Sequence, residues 1–360
     1  MPINSNTKKL DELRLRLSEL PDFVFNFVQR YIKNTTAINT KIAYCKDSKK
    51  FLEFLKTLPK YKSVNTIKDF TLAHIKQLEK IDIEDYLLHL EDYSVLYSTK
   101  TGKDINLRVQ NDNHGKMRKL SSLRSLFDYL FSSELIEKDI TKLVRMPKIS
   151  DKIKSKLSVD EVVTFLDTIE KGLGLTKKEK AFHEVTKIRD LAIATTLLGT
   201  GIRVSELVNL NINDINFKET HFKVTRKGQN EEIIYCNDEV INAIRKYYEE
   251  RIQIKGLSPE HESALFLSTQ ERRMDEKSVR NMIKKYTKKC GIIKNITPHS
   301  LRRTFGTNLY NEVGDVYLVA ELLGHKSVET TRKHYAELNM ERKRKALKEF
   351  KLRDEYKQDS

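Results

Sequence analysis

Near its C-terminal end the chain carries side chains suited to one task, the attack on a phosphodiester. His299-Ser300-Leu301-Arg302-Arg303 is followed by Leu323-Gly324-His325 and then by Tyr335. An arginine presents five donors in a planar fork that matches phosphate oxygens, and its charge does not titrate away near neutral pH. Histidine donates a hydrogen bond to a non-bridging oxygen or passes a proton, because its reference pKa of about 6.5 lies near working pH. A tyrosine phenol, with a reference pKa of about 10, is a weak nucleophile alone, and cations around a phosphate lower the cost of the developing phenolate. Each residue alone is ordinary, since the chain has 15 tyrosines and a lone histidine is more often a satisfied structural group. Order and context give the set its meaning.

The elements that must hold these residues are legible nearby. Thr297-Pro298 puts a proline at a helix start, where its missing N–H costs least, and predicts a helix over about 298–312. His299 and Arg302, three apart, then share one face and can reach one phosphate. Upstream, Leu198 to Leu207 reads as a helix, a glycine-marked turn at Gly199 and Gly201, and a second helix opening near Arg203. Its bland reading is a helix-turn-helix corner with a surface arginine. Phe222 to Ile234 reads as two short strands around a polar turn containing Gly228.

Gly201-Ile202-Arg203-Val204-Ser205-Glu206-Leu207, His299-Ser300-Leu301-Arg302, Leu323-Gly324-His325 and Tyr335, in that order, resemble the motifs of the tyrosine recombinase (phage-integrase-like) family, most closely its Xer-type and integrase members. The resemblance covers the C-terminal part directly and the N-terminal part by length and character. It implies that Arg203 and Arg302 are the two catalytic arginines, that His299 and His325 flank the phosphate, that Lys227 is the general acid on the leaving 5′-oxygen, and that Tyr335 is the nucleophile. Glu206 resembles the acidic residue beside the first arginine. Two departures stand out. Ten positions separate His325 from Tyr335, one more than is commonest, and Arg303 stands where many members have a further histidine.

The implied fold is mainly α: an N-terminal helical core-binding (SAM-like) domain plus a mixed α/β catalytic domain with a small antiparallel sheet, forming a C-shaped clamp on DNA. The implied chemistry is strand exchange through a 3′-phosphotyrosine and a Holliday junction, needing no cofactor, neither metal nor ATP. The implied partners are a double-stranded DNA recombination site, a homotetramer acting on two such sites, and a DNA-translocase activator. Chromosome dimer resolution of the Xer type and integration of a phage or transposon share every motif quoted. A type IB topoisomerase would share the chemistry and rejoin the same strand. A non-enzymatic DNA-binding accessory protein would have no need of the full catalytic set. A histidine-ligated metal hydrolase is poorly served, because His299, His325 and His334 have no carboxylate at ligand spacing.

Composition agrees with a polyanionic partner: 67 Lys plus Arg against 51 Asp plus Glu, a net charge of +16 over 360 residues. That length suggests two domains. Cys45, Cys236 and Cys290 lie far apart with no metal or redox spacing, which suits a reduced cytoplasmic protein, and the DNA partner that the resemblance implies would make it nucleoid-associated. There is neither the apolar core of a signal peptide at the N-terminus nor an apolar run of about 18 residues, so no membrane partner is expected.

The organisation expected is a core-binding domain over 1–144, a basic linker over 145–157 and a catalytic domain over 158–360 opened by the Ser158/Glu161 capping pattern. Leu10, Leu13, Leu15, Leu17 and Leu20 read as an amphipathic helix that could be an arm. Helices are expected over about 22–58, 71–93 and 116–133, with Ser98 to Gly115 as a polar loop. Thr40 to Tyr44 with Asp47, Phe51 and Phe54 resembles the first core helix of the family's clamping domain. Arg118, Lys119 and Arg124 form a basic helical face, and Lys148, Lys152 and Lys154 a basic linker. All six are candidate DNA contacts, although a solvated charged face is the commoner reason for such a pattern. Further helices are expected over about 187–199, 203–210, 238–254, 275–290, 316–323, 327–335 and 339–354. The last carries Leu347, Phe350 and Leu352 as a stripe that packs on its own domain or on a neighbouring protomer.

Overall fold

A computed structural model describes residues 5–32, 38–98, 104–148, 155–226 and 230–324. The chain divides into two compact units, Met1–Lys152 and Ile153–Ser360. Both are mainly helical with small antiparallel sheets. No helix among the described residues is long and apolar enough to cross a membrane.

In the N-terminal unit, α1 (Ser5–Ser18), α2 (Asp22–Asn26) with the π-helical turn Phe27–Tyr31, α3 (Ile38–Leu55), α4 (Leu72–Lys76), α5 (Lys80–His89) and α6 (Asn113–Ser132) enclose one apolar core. The leucine-rich first helix is no free arm: Leu13, Leu17 and Leu20 are buried in that core while Leu10 and Leu15 face water. A further correction concerns the stretch expected as a loop. β1 (Tyr93–Ser98) pairs antiparallel with β2 (Asp104–Val109), Val95 opposite Leu107. Ile105, Leu107 and Val109 alternate with Asn106 and Arg108, a period of two too short to stand out among polar neighbours. The helix expected over 71–93 is broken instead, because Glu79 caps α5: its backbone N–H donates to Asp82 Oδ2 at 2.7 Å.

The C-terminal unit opens with α7 (Val159–Lys171), whose capping box closes as expected: Glu161 N donates to Ser158 Oγ at 3.3 Å and Ser158 N to Glu161 Oε2 at 2.7 Å. Helix α8 (Lys177–Thr200) starts about ten residues before the sequence suggested, capped by the reciprocal pair Thr176 and Glu179. Then follow α9 (Val204–Asn209), β3 (Ile215–Asn216), β4 (His221–Thr225), β5 (Glu231–Tyr235), α10 (Asp238–Arg251), α11 (Pro259–Glu262), α12 (Glu276–Lys289), α13 (Pro298–Val313) and α14 (Val316–Leu322). The strands lie in the order β3-β4-β5, all antiparallel. Leu197, Leu207, Phe222, Ile244, Ile283 and Leu301 bring α8, α9, the sheet, α10, α12 and α13 into one core.

Candidate active site

Helix α8 ends at Gly201, whose φ of +63° is the left-handed cap that glycine supplies without strain. A β-carbon there would also meet Phe305 Cδ1 at 2.3 Å, so the turn accepts no side chain. Two residues on, Arg203 stands as the cap of α9. Its backbone N–H donates to Glu206 Oε2 at 2.8 Å, and its Nη1 donates to Glu206 Oε1 at 2.7 Å. Glu206 is buried at 5% exposure, so one fixed carboxylate aims the guanidinium while satisfying the helix start.

Arg302 projects from α13, itself buried at 5% exposure. Nη1 donates to the Gly201 carbonyl at 2.6 Å and Nη2 to the Leu323 carbonyl. Arg203 Nη2 reaches the next carbonyl, Gly324, at 3.2 Å. On the β4–β5 hairpin, Arg226 Nη2 donates to the Leu322 carbonyl at 3.4 Å, and Glu232 lies 2.6 Å from its Nε. Three successive carbonyls, 322 to 324, therefore accept from three arginines on three different elements. His299 is exposed on the first turn of α13.

Arg203, Glu206 and Arg302 are thus brought together, and Arg226, just after β4, reaches the same turn. Lys227, His325 and Tyr335 lie outside the described residues, as do Lys152, Lys154 and the expected helices over 327–335 and 339–354. Covalently, Lys227 follows Arg226 and His325 follows Gly324.

The candidate DNA contacts of the N-terminal unit are differently placed. Arg124 is spent inside the unit, donating to the carbonyls of Thr141 at 3.3 Å and Val144 at 2.7 Å. Lys119 donates to Asn111 Oδ1 at 2.9 Å, and burial pushes its pKa down. Arg118 grips the buried Asp47 with both Nη atoms, Nη2 at 2.6 Å, while half its side chain stays exposed. Burial still raises the Asp47 pKa, against the pull of Arg118. Lys148 is exposed.

The two motif arginines of the mainly helical C-terminal unit thus converge on the turn that ends at Gly324. Residues 155–342 match the phage integrase family, and the chain belongs to that family: it is a tyrosine site-specific recombinase.

It is 30% identical over 350 residues to tyrosine recombinase XerS of Streptococcus equi subsp. zooepidemicus, covering 90% of this chain and 95% of that protein. Against tyrosine recombinase XerC of Leptospira interrogans it is 29% identical over 297 residues, covering 79% of this chain and 86% of that protein. In fold it resembles XerH recombinase bound to a palindromic difH substrate, with a TM-score of 0.61 and 18% identity over 94% of this chain and 93% of that one. The Tn1549 transposon integrase in complex with circular intermediate DNA is similar at a TM-score of 0.60 and 20% identity, over 87% and 94% of the two chains.

Proposed function

We propose that Arg203, Arg302, His299 and His325 bind one scissile phosphate and stabilise charge on its pentacoordinate transition state, often the largest catalytic term. Tyr335 attacks phosphorus, Lys227 protonates the departing 5′-oxygen, and a 3′-phosphotyrosine bond replaces the phosphodiester. A 5′-hydroxyl from another strand then attacks that bond and releases the tyrosine. The bond energy is conserved in the intermediate, so the cycle needs no external energy source. The observation that carries this reading is the convergence of Arg203 and Arg302 on the Leu323–Gly324 carbonyls, directly before His325.

The biological role proposed is chromosome dimer resolution, with the N-terminal unit as the core-binding domain and the C-terminal unit as the catalytic one. Xer-type relatives matched over most of their length support it. A homotetramer would exchange strands between two DNA sites through a four-way junction, with a DNA-translocating protein as activator.

The experiment is a suicide-substrate assay. A nicked duplex carrying a candidate site from the source genome is incubated without added metal, and wild type is compared with Tyr335→Phe on a denaturing gel. A covalent protein–DNA band lost in the variant is expected. A band that persists in Tyr335→Phe moves the nucleophile elsewhere. Binding without any band in wild type favours a non-enzymatic accessory protein.

A further inference from the structure

Three consecutive residues, Ser155 to Leu157, are fastened to α13 and to Lys294 in the loop just before it. Arg303 Nη1 donates to the Ser155 carbonyl at 2.9 Å, and Lys294 Nζ reaches the Lys156 carbonyl at 3.4 Å. The Leu157 amide donates to Thr304 Oγ1 at 2.9 Å, inside the protein. That hydroxyl also donates to the Ser300 carbonyl at 3.0 Å, one residue after His299. Leu157 is 2% exposed and Thr304 1% exposed, so removing the hydroxyl would leave a buried amide without its acceptor.

Resting on the phosphotyrosine reading of α13, we infer that Arg303 and Thr304 are positioning residues, which latch the end of the interdomain linker to the helix carrying His299 and Arg302. The geometry explains why both are needed. At about 100° per residue, Thr304 lies roughly opposite Arg302 around α13, while Arg303 follows His299 by one turn on the same ridge. Arg302 is tied in front to the carbonyls of Gly201 and Leu323, and Thr304 is tied behind to Leu157. A helix held from both sides can neither roll nor slide, and sub-ångström placement is what a phosphate clamp requires. The residue that departs from the family's usual histidine, Arg303, has the length and the fork to reach the Ser155 carbonyl.

The test separates rate from affinity in the full-length protein. Single-turnover cleavage of the nicked duplex at saturating protein and the dissociation constant for the uncleaved site are measured for Thr304→Val, Thr304→Ser and Arg303→Gln. Thr304→Val is expected to cleave about tenfold more slowly or worse, by the cost of one orphaned buried donor, with affinity within about twofold. Thr304→Ser, which keeps the hydroxyl, should recover to within about threefold of wild type, and Arg303→Gln should lose about three- to tenfold. Wild-type cleavage rates in both Thr304→Val and Arg303→Gln overturn the latch. So does an equal loss of affinity and rate that serine fails to rescue. If Thr304→Val does not fold, Arg303→Gln decides on the same criteria. Absence of covalent product with wild type takes down the phosphotyrosine reading and this inference together, whereas active wild type with unaffected variants takes down the latch alone.

Discussion

Helices α13 and α6 both carry arginines that a sequence reader would point at DNA, and the fold ties them up in different company. On α13, Arg302 is buried, yet it points into a turn where Arg203 and Arg226 also converge on successive carbonyls. Glu206 and Glu232 offset part of that charge, and the three guanidiniums still leave a positive balance that an anion would relieve. On α6, Arg118 is matched to a buried carboxylate, Arg124 caps two carbonyls and Lys119 is drawn half inside. The helix reads as basic, but much of its charge is consumed in holding the N-terminal unit together. What separates the two sets is convergence: three arginines from separate elements meet at one turn of the C-terminal unit, whereas those of α6 are each tied singly.

The largest effect that would sharpen this contrast is expected from Arg302→Gln. On the proposed mechanism it removes a transition-state donor, and it unties α13 from Gly201 and Leu323, so suicide cleavage should fall by about a thousandfold or more. Glu206→Gln should lose about tenfold in cleavage with DNA affinity unchanged, because glutamine still accepts at the helix cap but no longer pairs with the Arg203 charge. Arg124→Ala should cost about 1–3 kcal/mol in denaturant unfolding while leaving the salt dependence of DNA binding unaltered. A change of about one in the log–log salt slope would make Arg124 a phosphate contact and break the comparison.

The smallest effect concerns His183, buried against Tyr286, whose hydroxyl donates to Asp190 at 3.0 Å. Burial lowers the His183 pKa, with Lys285 adding to the shift. The folded-state value then lies below the unfolded one, so this stability is present above about pH 6.5 and is lost as pH falls through the folded-state pKa. Melting curves between pH 8 and 5 should fall toward acid, and His183→Asn should flatten that fall, a difference read against wild type.

Much of the C-terminal unit was legible because its motifs encode local necessities. A glycine in the left-handed cap at Gly201, a capping carboxylate at Glu206 and a proline opening α13 each leave a sequence signal within a few residues. The hairpin over 221–235 announced itself by two apolar runs around a polar turn. Its counterpart over 93–109 did not, since three alternating apolar residues among polar ones resemble a loop.

The amino-acid sequence alone determined the class of chemistry and the order of its parts, because arginine, histidine and tyrosine are able to clamp and attack a phosphodiester and stand here in the order of a known set of motifs. Tertiary structure alone decided which charges remain to be used. Asp47 lies 71 residues from Arg118 and Leu157 lies 147 residues from Thr304. Whether a donor is spent on a neighbouring carbonyl or kept for DNA depends on packing between such distant segments, which no local pattern records.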